Sequence, residues 1–461
     1  MSVAEIVDFP AKRGLLVPPR PPVAPQSMST FARMMAVRHN MIATWGERAY
    51  EEDVLQGGLL GRASFIVNSP DAIRHVLVEN YENYGRTSAG IRVLLPMLGQ
   101  GLLLSEGRPW KLQRRTLAPA FSPRAVTTLI PHMHAAIGET VAKLDDAVGG
   151  SVDLREAMQR MALDIAGRTM FSFEIARHGV TLRNFVNSYG SRLAQPDILD
   201  ILFPGNWPTP RDLPRALFRR RWVRFIASLI AERRAMGTDP ANPRDLFDLM
   251  VAARDPETGE GFSDENLGDQ VATMILAGHE TTATALFWSL YLLALDPETQ
   301  DRVASEARAV AAGGEPDFSR LAFTRAVIDE TMRLYPPAFI IARAAKGRDI
   351  IDGRSVRKGD VVIISPWLLH RHKKLWREPD VFMPARFMPG APPPDRFAYL
   401  PFGVGPRVCI GAHFALTEAV LALSRIVGTF NVSLLSTRPA IPIGVVTTQP
   451  DHSPQFRIDR R

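Results

Sequence analysis

Cysteine is almost absent from this chain of 461 residues: there is one, Cys409. A single thiol forms no intramolecular disulfide and builds no site from several cysteines, zinc or iron–sulfur. It fits a reducing compartment. Long apolar runs are missing as well. The opening MSVAEIVDFPAKRGLL carries Glu5, Asp8, Lys12 and Arg13, so neither a signal peptide nor a membrane anchor is expected. Blocks of like charge are also lacking. The net charge of +7 is scattered and there is no lysine-rich tail, which argues against a nucleic-acid partner. No internal repeat is found. These absences leave a globular, cytoplasmic protein as the expectation.

What is present supports one large core. Hydrophobic residues make up 46% of the chain, and the 37 prolines gather in connecting stretches as fixed turns. Val17–Pro25 reads as a proline-rich arm packed on the surface, giving residues 1–25 as an arm and 26–461 as a single domain. Ala49–Pro70 reads as a hairpin around the Gly57–Gly58 pair. Ser122–Pro123 is an N-cap and first-turn pair, followed by apolar residues at helical spacing and by Pro131, where a kink is expected. Pro208–Met236 reads as a long helix with a basic start, and Asp264–Leu295 as the longest helix of all. Short strands return over Arg348–Pro366, turning at Asp352–Gly353 and Lys358–Gly359. One helix follows Cys409 and short strands close the chain. The fold class is mainly α with a minor β part (α+β).

Cys409 sits in PFGVGPRVCIGAHFA, Pro401–Ala415. Gly403 and Gly405 permit a tight turn before it, and Gly411 removes a side chain just after it. A helix starting here would aim its free N–H groups at the sulfur and favour thiolate. A thiolate serves as a nucleophile or as a metal ligand. A nucleophile needs a base with an orienting partner. His413 shares the helical face, but no orienter stands beside it, so it reads as a packing histidine. Haem iron accounts for more of the loop: Phe402 would shield the sulfur, Arg407 would reach a propionate, and backbone N–H groups would tune the thiolate.

The spacing Phe402-x-x-Gly405-x-Arg407-x-Cys409-x-Gly411 resembles the haem loop of the cytochrome P450 family. Further stretches resemble that family in the same order along the chain. AGHETT, Ala277–Thr282, lies mid-way along the longest helix. The resemblance implies that Ala277 and Gly278 border the haem, Gly278 letting the helix open for dioxygen. It implies that Glu280 and Thr281 are the acid–alcohol pair that relays protons, a hydroxyl being both donor and acceptor. His279 is given no role. Glu330-x-x-Arg333 shares a helix face, and with Arg386 it matches the family's structural lock, although Ala385 stands where the family often has glutamate. Trp110 and Arg114 lie one turn apart in RPWKLQRRTLAPAFS, and with Arg343 and Arg407 they match propionate ligands. Arg108, Lys111, Arg115 and Arg124 form a basic cluster where an acidic electron donor would dock.

The resemblance thus implies a cytochrome P450 fold around Cys409-ligated haem b. It implies a monooxygenase that uses O2 and two electrons to hydroxylate an apolar small molecule, fatty acid-like or terpenoid. Leu94, Leu98, Met274, Ala338, Phe339, Ile340, Val446 and Thr447 are the expected pocket residues, with Arg86 or Arg92 available for a substrate carboxylate. Too few residues follow Cys409 for a flavin reductase, so electrons are expected from a separate ferredoxin and its reductase, delivered to a monomer. The rival readings are a peroxide-using or isomerising haem-thiolate enzyme, whose family members tend to lose the acid–alcohol pair, and a non-enzymatic haem sensor, which needs no proton relay.

Overall fold

Ser122 and Pro123 open a helix as their chemistry dictates: the Ser122 hydroxyl accepts the Ala125 N–H, and Pro123 fills the first turn. Apart from Pro297–Ala312 and helices of eight residues or fewer, that helix is one of nine among the described residues of the computed structural model, which describes residues 15–461 except 60–61, 173–175, 195–198, 201–206, 238–242 and 313–317. Numbered in chain order they are α1 (Ser88–Leu98), α2 (Gly107–Leu117), α3 (Pro123–Asp145), α4 (Leu154–Phe171), α5 (Ala176–Arg192), α6 (Asp212–Ala235), α7 (Asp264–Leu295), α8 (Ala322–Leu334) and α9 (Ala412–Thr429). Helix α3 continues through Pro131, where a kink is expected, as one helix.

Helix α7 organises the core. Ser263 caps it by accepting the Asn266 N–H, and Asp264 and Glu265 lie against the positive end of its dipole. From Thr282 to Leu293 every residue is buried, so this half is enclosed on all sides. Helix α4 packs along α7 more extensively than any other element, and α8 and α9 also lie against it.

The β part is small. Strands β1 (Val54–Leu59) and β2 (Arg62–Val67) pair antiparallel. Gly57 and Gly58 lie inside β1, opposite Ser64 and Ala63, rather than in the turn expected there. Gly58 is required in the strand because a Cβ would come within 2.8 Å of the Arg62 carbonyl. The same sheet adds β8 (Val361–Ile364), β5 (Ile341–Ala345) and β3 (Tyr84–Gly85), in the order β1-β2-β8-β5-β3. Two more ladders stand apart. Strands β6 (Asp349–Ile351) and β7 (Arg354–Val356) turn at Asp352–Gly353, and β10 (Pro442–Gly444) pairs with β11 (Thr448–Pro450). A three-stranded sheet joins β4 (Ser151–Val152), β12 (Phe456–Arg460) and β9 (Phe430–Leu434).

Two residues near the described N-terminus are hydrogen-bonded to the rest of the chain. Leu16 accepts the Phe382 N–H at 2.9 Å, and the Tyr335 hydroxyl donates to the Pro19 carbonyl at 2.7 Å. Among the described residues no helix is long and apolar enough to cross a membrane.

Candidate active site

The cysteine loop turns through Gly403 (φ 71°) and Gly405 (φ 77°), a left-handed region that favours glycine. It closes with Cys409 N–H donating to the Phe402 carbonyl at 2.8 Å. Gly405 has a second constraint: a Cβ there would stand 2.3 Å from the Leu77 carbonyl oxygen. Its glycine therefore serves contact with the 75–79 segment. Gly403 and Gly411 have room beside them, the nearest neighbours of a Cβ being Ile341 and the Phe121 ring, each at 3.9 Å. Cys409 is accessible to solvent, yet protein surrounds it closely enough that burial raises its thiol pKa. The Gly411 N–H and the Arg114 guanidinium pull the other way and do not prevail. The thiolate expected from the helix start alone is thus not established by the protein; a bound metal cation is what deprotonates such a thiol. His413 packs edge-on against Phe318, with ring centroids 6.0 Å apart.

Helix α7 loses its burial at one place. Ala277 is exposed in the middle of a core helix, Gly278 and Thr281 are partly exposed, and a Cβ on Gly278 would meet nothing within 4 Å. Open space beside a core helix is a cavity. The Thr281 hydroxyl lies on this face and donates to the Ala277 carbonyl at 2.6 Å. Glu280 turns toward the C-terminal hairpin. Its Oε1 accepts from the Thr447 hydroxyl at 2.9 Å and from Gln449 Nε2 at 3.2 Å. Gln449 also donates to Thr284 at 3.0 Å. Burial pushes Glu280 above the usual carboxylate range; its bonds to Thr447 and Gln449 and the charge of Arg155 offset part of that rise. An acid raised in this way holds a proton closer to neutral pH. His279 is buried and pushed down to about 4 by burial, so it is neutral near pH 7.

A second corner concentrates positive charge. Strand β3 runs antiparallel to β5 with Gly85 opposite Ala344, and the register continued by one residue sets Arg86 opposite Arg343. Arg407 comes from the cysteine loop, its guanidinium 4.4 Å over the Trp110 ring, with Nη1 donating to Ser105 O at 3.1 Å. Burial comes first in depressing Arg86 and Arg343, and the neighbouring guanidiniums add to it. Glu106 answers them in part, while also accepting the Arg86 N–H at 2.6 Å and pairing with Lys346 at 3.2 Å. Arg86 Nε is sealed from solvent without a hydrogen-bond partner. Arginine stays charged at any ordinary pH, so the corner holds a surplus of positive charge and an orphaned donor. An anionic group with two carboxylates, such as haem, fits that surplus. Arg114 also braces the cysteine loop: its Nη1 donates to the Val408 carbonyl at 2.6 Å.

Behind the loop lies a buried charge lock. Arg333 Nε and Nη2 hold the two Glu330 oxygens at 2.7 and 2.8 Å. Its remaining donors reach the carbonyls of His370, Pro379 and Val381 at 2.8, 2.7 and 2.8 Å. Arg386 Nε approaches Glu330 at 3.4 Å, and its Nη2 donates to Glu378 O at 2.8 Å. His370 extends the lock to the loop. Its Nε2 accepts the Leu400 N–H at 2.8 Å, which leaves the proton on Nδ1, 3.3 Å from the Arg333 carbonyl. Burial pushes His370 down to about 3.

The pocket residues separate into three groups. Leu94, Met274, Ala338, Ile340 and Val446 keep accessible surface. Leu98 and Phe339 are fully buried in the core, Phe339 against Trp45 at 6.4 Å, so neither faces an open pocket. Thr447 is bonded to Glu280 and belongs with the acid. Arg92 is already committed as well, donating to the Trp207 carbonyl at 2.6 Å with Asp200 at 3.8 Å. The basic cluster is smaller than its sequence: Lys111 pairs with Glu82 at 2.8 Å, and Arg115 pairs with Asp255 at 3.0 Å and with Glu257. Arg108 and Arg124 remain exposed. Sequence reasoning passed over Gln449, Arg155 and His370, and took Arg86 for a substrate anchor. Only the pairing of Arg86 with the β5 edge signals its place.

Known proteins agree with this geometry. The family model for cytochrome P450 matches residues 18–456. The chain is 31% identical over 400 residues to cyclooctatin synthase of Streptomyces melanosporofaciens, covering 82% of this chain and 83% of that one. It is 31% identical to cyclooctat-9-en-7-ol 5-monooxygenase of the same organism, covering 90% of this chain and 91% of that one. Among solved structures it superposes on the heme domain of cytochrome P450DA with a TM-score of 0.79 at 26% identity, over 97% of this chain and 99% of that one. With a single, exposed cysteine in a glycine-rich loop, an acid and an alcohol side by side on a partly exposed stretch of the longest helix, and a family match over nearly its full length, the chain belongs to the cytochrome P450 family.

Proposed function

We propose that this chain is a monooxygenase that inserts one atom of O2 into an apolar small molecule, with electrons from a separate ferredoxin-type donor. The observation that carries the reading is the intact pair Glu280–Thr281, the alcohol on the cavity face of α7 and the acid held next to it with a raised pKa. Haem b bound through Cys409 would supply the redox chemistry that splits dioxygen. The chain's own residues do the rest. Arg86, Arg343 and Arg407 hold the propionates. Thr281 gives and takes a proton at Oγ1, and Glu280 resupplies it after release from Thr447 and Gln449. Gln449 and Arg155 set how readily that carboxyl ionises. Leu94, Met274, Ala338, Ile340 and Val446 present apolar surface to the substrate and exclude water. The names of the two Streptomyces relatives favour a terpenoid over a fatty acid. Arg108 and Arg124 are the exposed cations left to meet an acidic donor.

The class is tested by the reduced, carbon monoxide-bound spectrum. A Soret band without the thiolate-specific red shift would overturn it. Thr281→Ala should keep substrate binding but divert electrons from product to peroxide or water; unchanged coupling would refute the relay. A spin-shift screen over terpenoids and fatty acids addresses the substrate.

A further inference from the structure

Gln270 lies two turns before AGHETT on α7 and has no part in the site above. At about 100° per residue, Met274, Ala277, Gly278 and Thr281 span roughly 100° of arc, and Gln270 falls inside it. Those four residues keep accessible surface, so this stripe is the cavity face of α7. Gln270 itself is fully buried. Its Oε1 accepts the Leu102 N–H at 3.0 Å. An N–H is met only by an acceptor, so this bond fixes which end of the amide is oxygen and which is nitrogen. The nitrogen end, Nε2, is sealed from solvent and has no hydrogen-bond partner among the described residues.

The loop that carries Leu102 is pressed onto the helix: a Cβ on Gly101 would stand 2.2 Å from Thr273 Oγ1. The amide is therefore held with its oxygen on the loop. An unmet buried donor is costly, and folded proteins keep few of them. Helical side chains lean toward the helix N-terminus, so Met274, four residues on, lies over the turn that carries Gln270. Methionine is unbranched and repacks readily. We infer that Gln270 is a specificity-determining residue: with Met274 turned aside, its Nε2–H donates to an oxygen of the substrate. The inference rests on the monooxygenase reading above and narrows its substrate. Gln270 precedes Gly278 by about 12 Å of helix. The substrate is then an elongated apolar molecule with a ketone or hydroxyl oxygen about 12 Å from the carbon that is oxidised. A neutral amide offers no charge to a carboxylate, so a fatty acid is not matched by it.

The probes are androstane and androstanone, one rigid four-ring frame without and with a terminal ketone. The full-length, haem-loaded chain is titrated with each, and the spin shift gives Kd. Wild type should bind the ketone about tenfold more tightly than the hydrocarbon. Gln270→Met keeps the side-chain length and offers no donor, so the preference should vanish. Losing the acceptor for Leu102 would weaken both probes alike, so the ratio of the two Kd values separates recognition from loop packing. Met274→Ala should raise the preference by uncovering the amide. A second measurement needs no variant: the carbonyl stretch of bound androstanone, read by difference infrared, should be lowered from its position in alkane, as in a hydrogen-bonded ketone. The inference is overturned if wild type shows no preference for the ketone, if the stretch stays at its alkane position, or if Gln270→Met keeps both. It is equally overturned if neither steroid shifts the spin state of a chain that shows the thiolate-specific Soret band. Without that band the monooxygenase reading itself falls, and the inference with it.

Discussion

Arg333→Met tests the lock behind the cysteine loop. Arg333 places five hydrogen bonds, two to Glu330 and three to the carbonyls of His370, Pro379 and Val381. Methionine is close in length but offers no donor. Glu330, fully buried, would keep only the Met383 N–H at 2.8 Å and the Arg386 guanidinium at 3.4 Å. Stranding one member of a buried pair costs about 3–5 kcal/mol. An unfolding entropy of about 2.1 cal/mol/K per residue amounts to about 1 kcal/mol/K for 461 residues, so the thermal midpoint should fall by about 3–5 °C. Calorimetry at fixed haem saturation measures this. Haem should also dissociate faster, because Arg333 holds His370, and His370 holds Leu400 at the entrance of the loop. Adding Glu330→Gln removes the stranded charge, so the double variant should lose less than the two singles combined, by about 1 kcal/mol or more. A single-variant midpoint within about 1 °C of wild type, or strictly additive losses, would refute the reasoning.

Two other predictions come from buried charges. Glu418 on α9 is fully buried, one of its oxygens has no partner, and burial raises its pKa well above the ordinary 4.5. The folded state therefore holds this proton longer than the unfolded chain, and the contribution to stability is full below pH 4.5 and declines as pH rises through the window above it. Glu418→Gln should remove that decline, so denaturant midpoints taken across pH should show the variant gaining on wild type toward neutral pH; a parallel pair of curves would contradict the assignment. Arg86→Gln should relieve repulsion from Arg343 and Arg407 while losing a charge-assisted contact worth about 1.5–3 kcal/mol. Haem transfer to an acceptor protein should then be at least about tenfold faster, and an unchanged rate would place the propionates elsewhere.

Local chemistry made several elements readable from the chain. The Ser122–Pro123 start and the Asp352–Gly353 turn each follow from hydrogen bonds or φ angles set within a few residues. The Glu330–Arg333 pair is local too, since i, i+3 positions share a face. The glycine pair at 57–58 shows the limit: its composition suggests a turn, but Gly58 is there because Arg62 crosses close to it. The pocket shows the same limit. Leu98 and Phe339 are as apolar as Leu94 and Ile340, and only packing separates core from cavity wall.

Sequence alone picked out the cysteine loop, the Glu280–Thr281 pair and the Glu330–Arg333 pair, because each rests on residue types at fixed short spacing. Tertiary structure decided what each group meets. It brought Arg86 beside Arg343 through the β3–β5 register, turned Glu280 onto Thr447 and Gln449 from a hairpin at the far end of the chain, and neutralised Lys111 and Arg115 with acids distant in sequence. It also raised the Cys409 thiol where the helix start favoured thiolate. Protonation and charge balance depend on burial and on neighbours remote along the chain, and no local spacing encodes either.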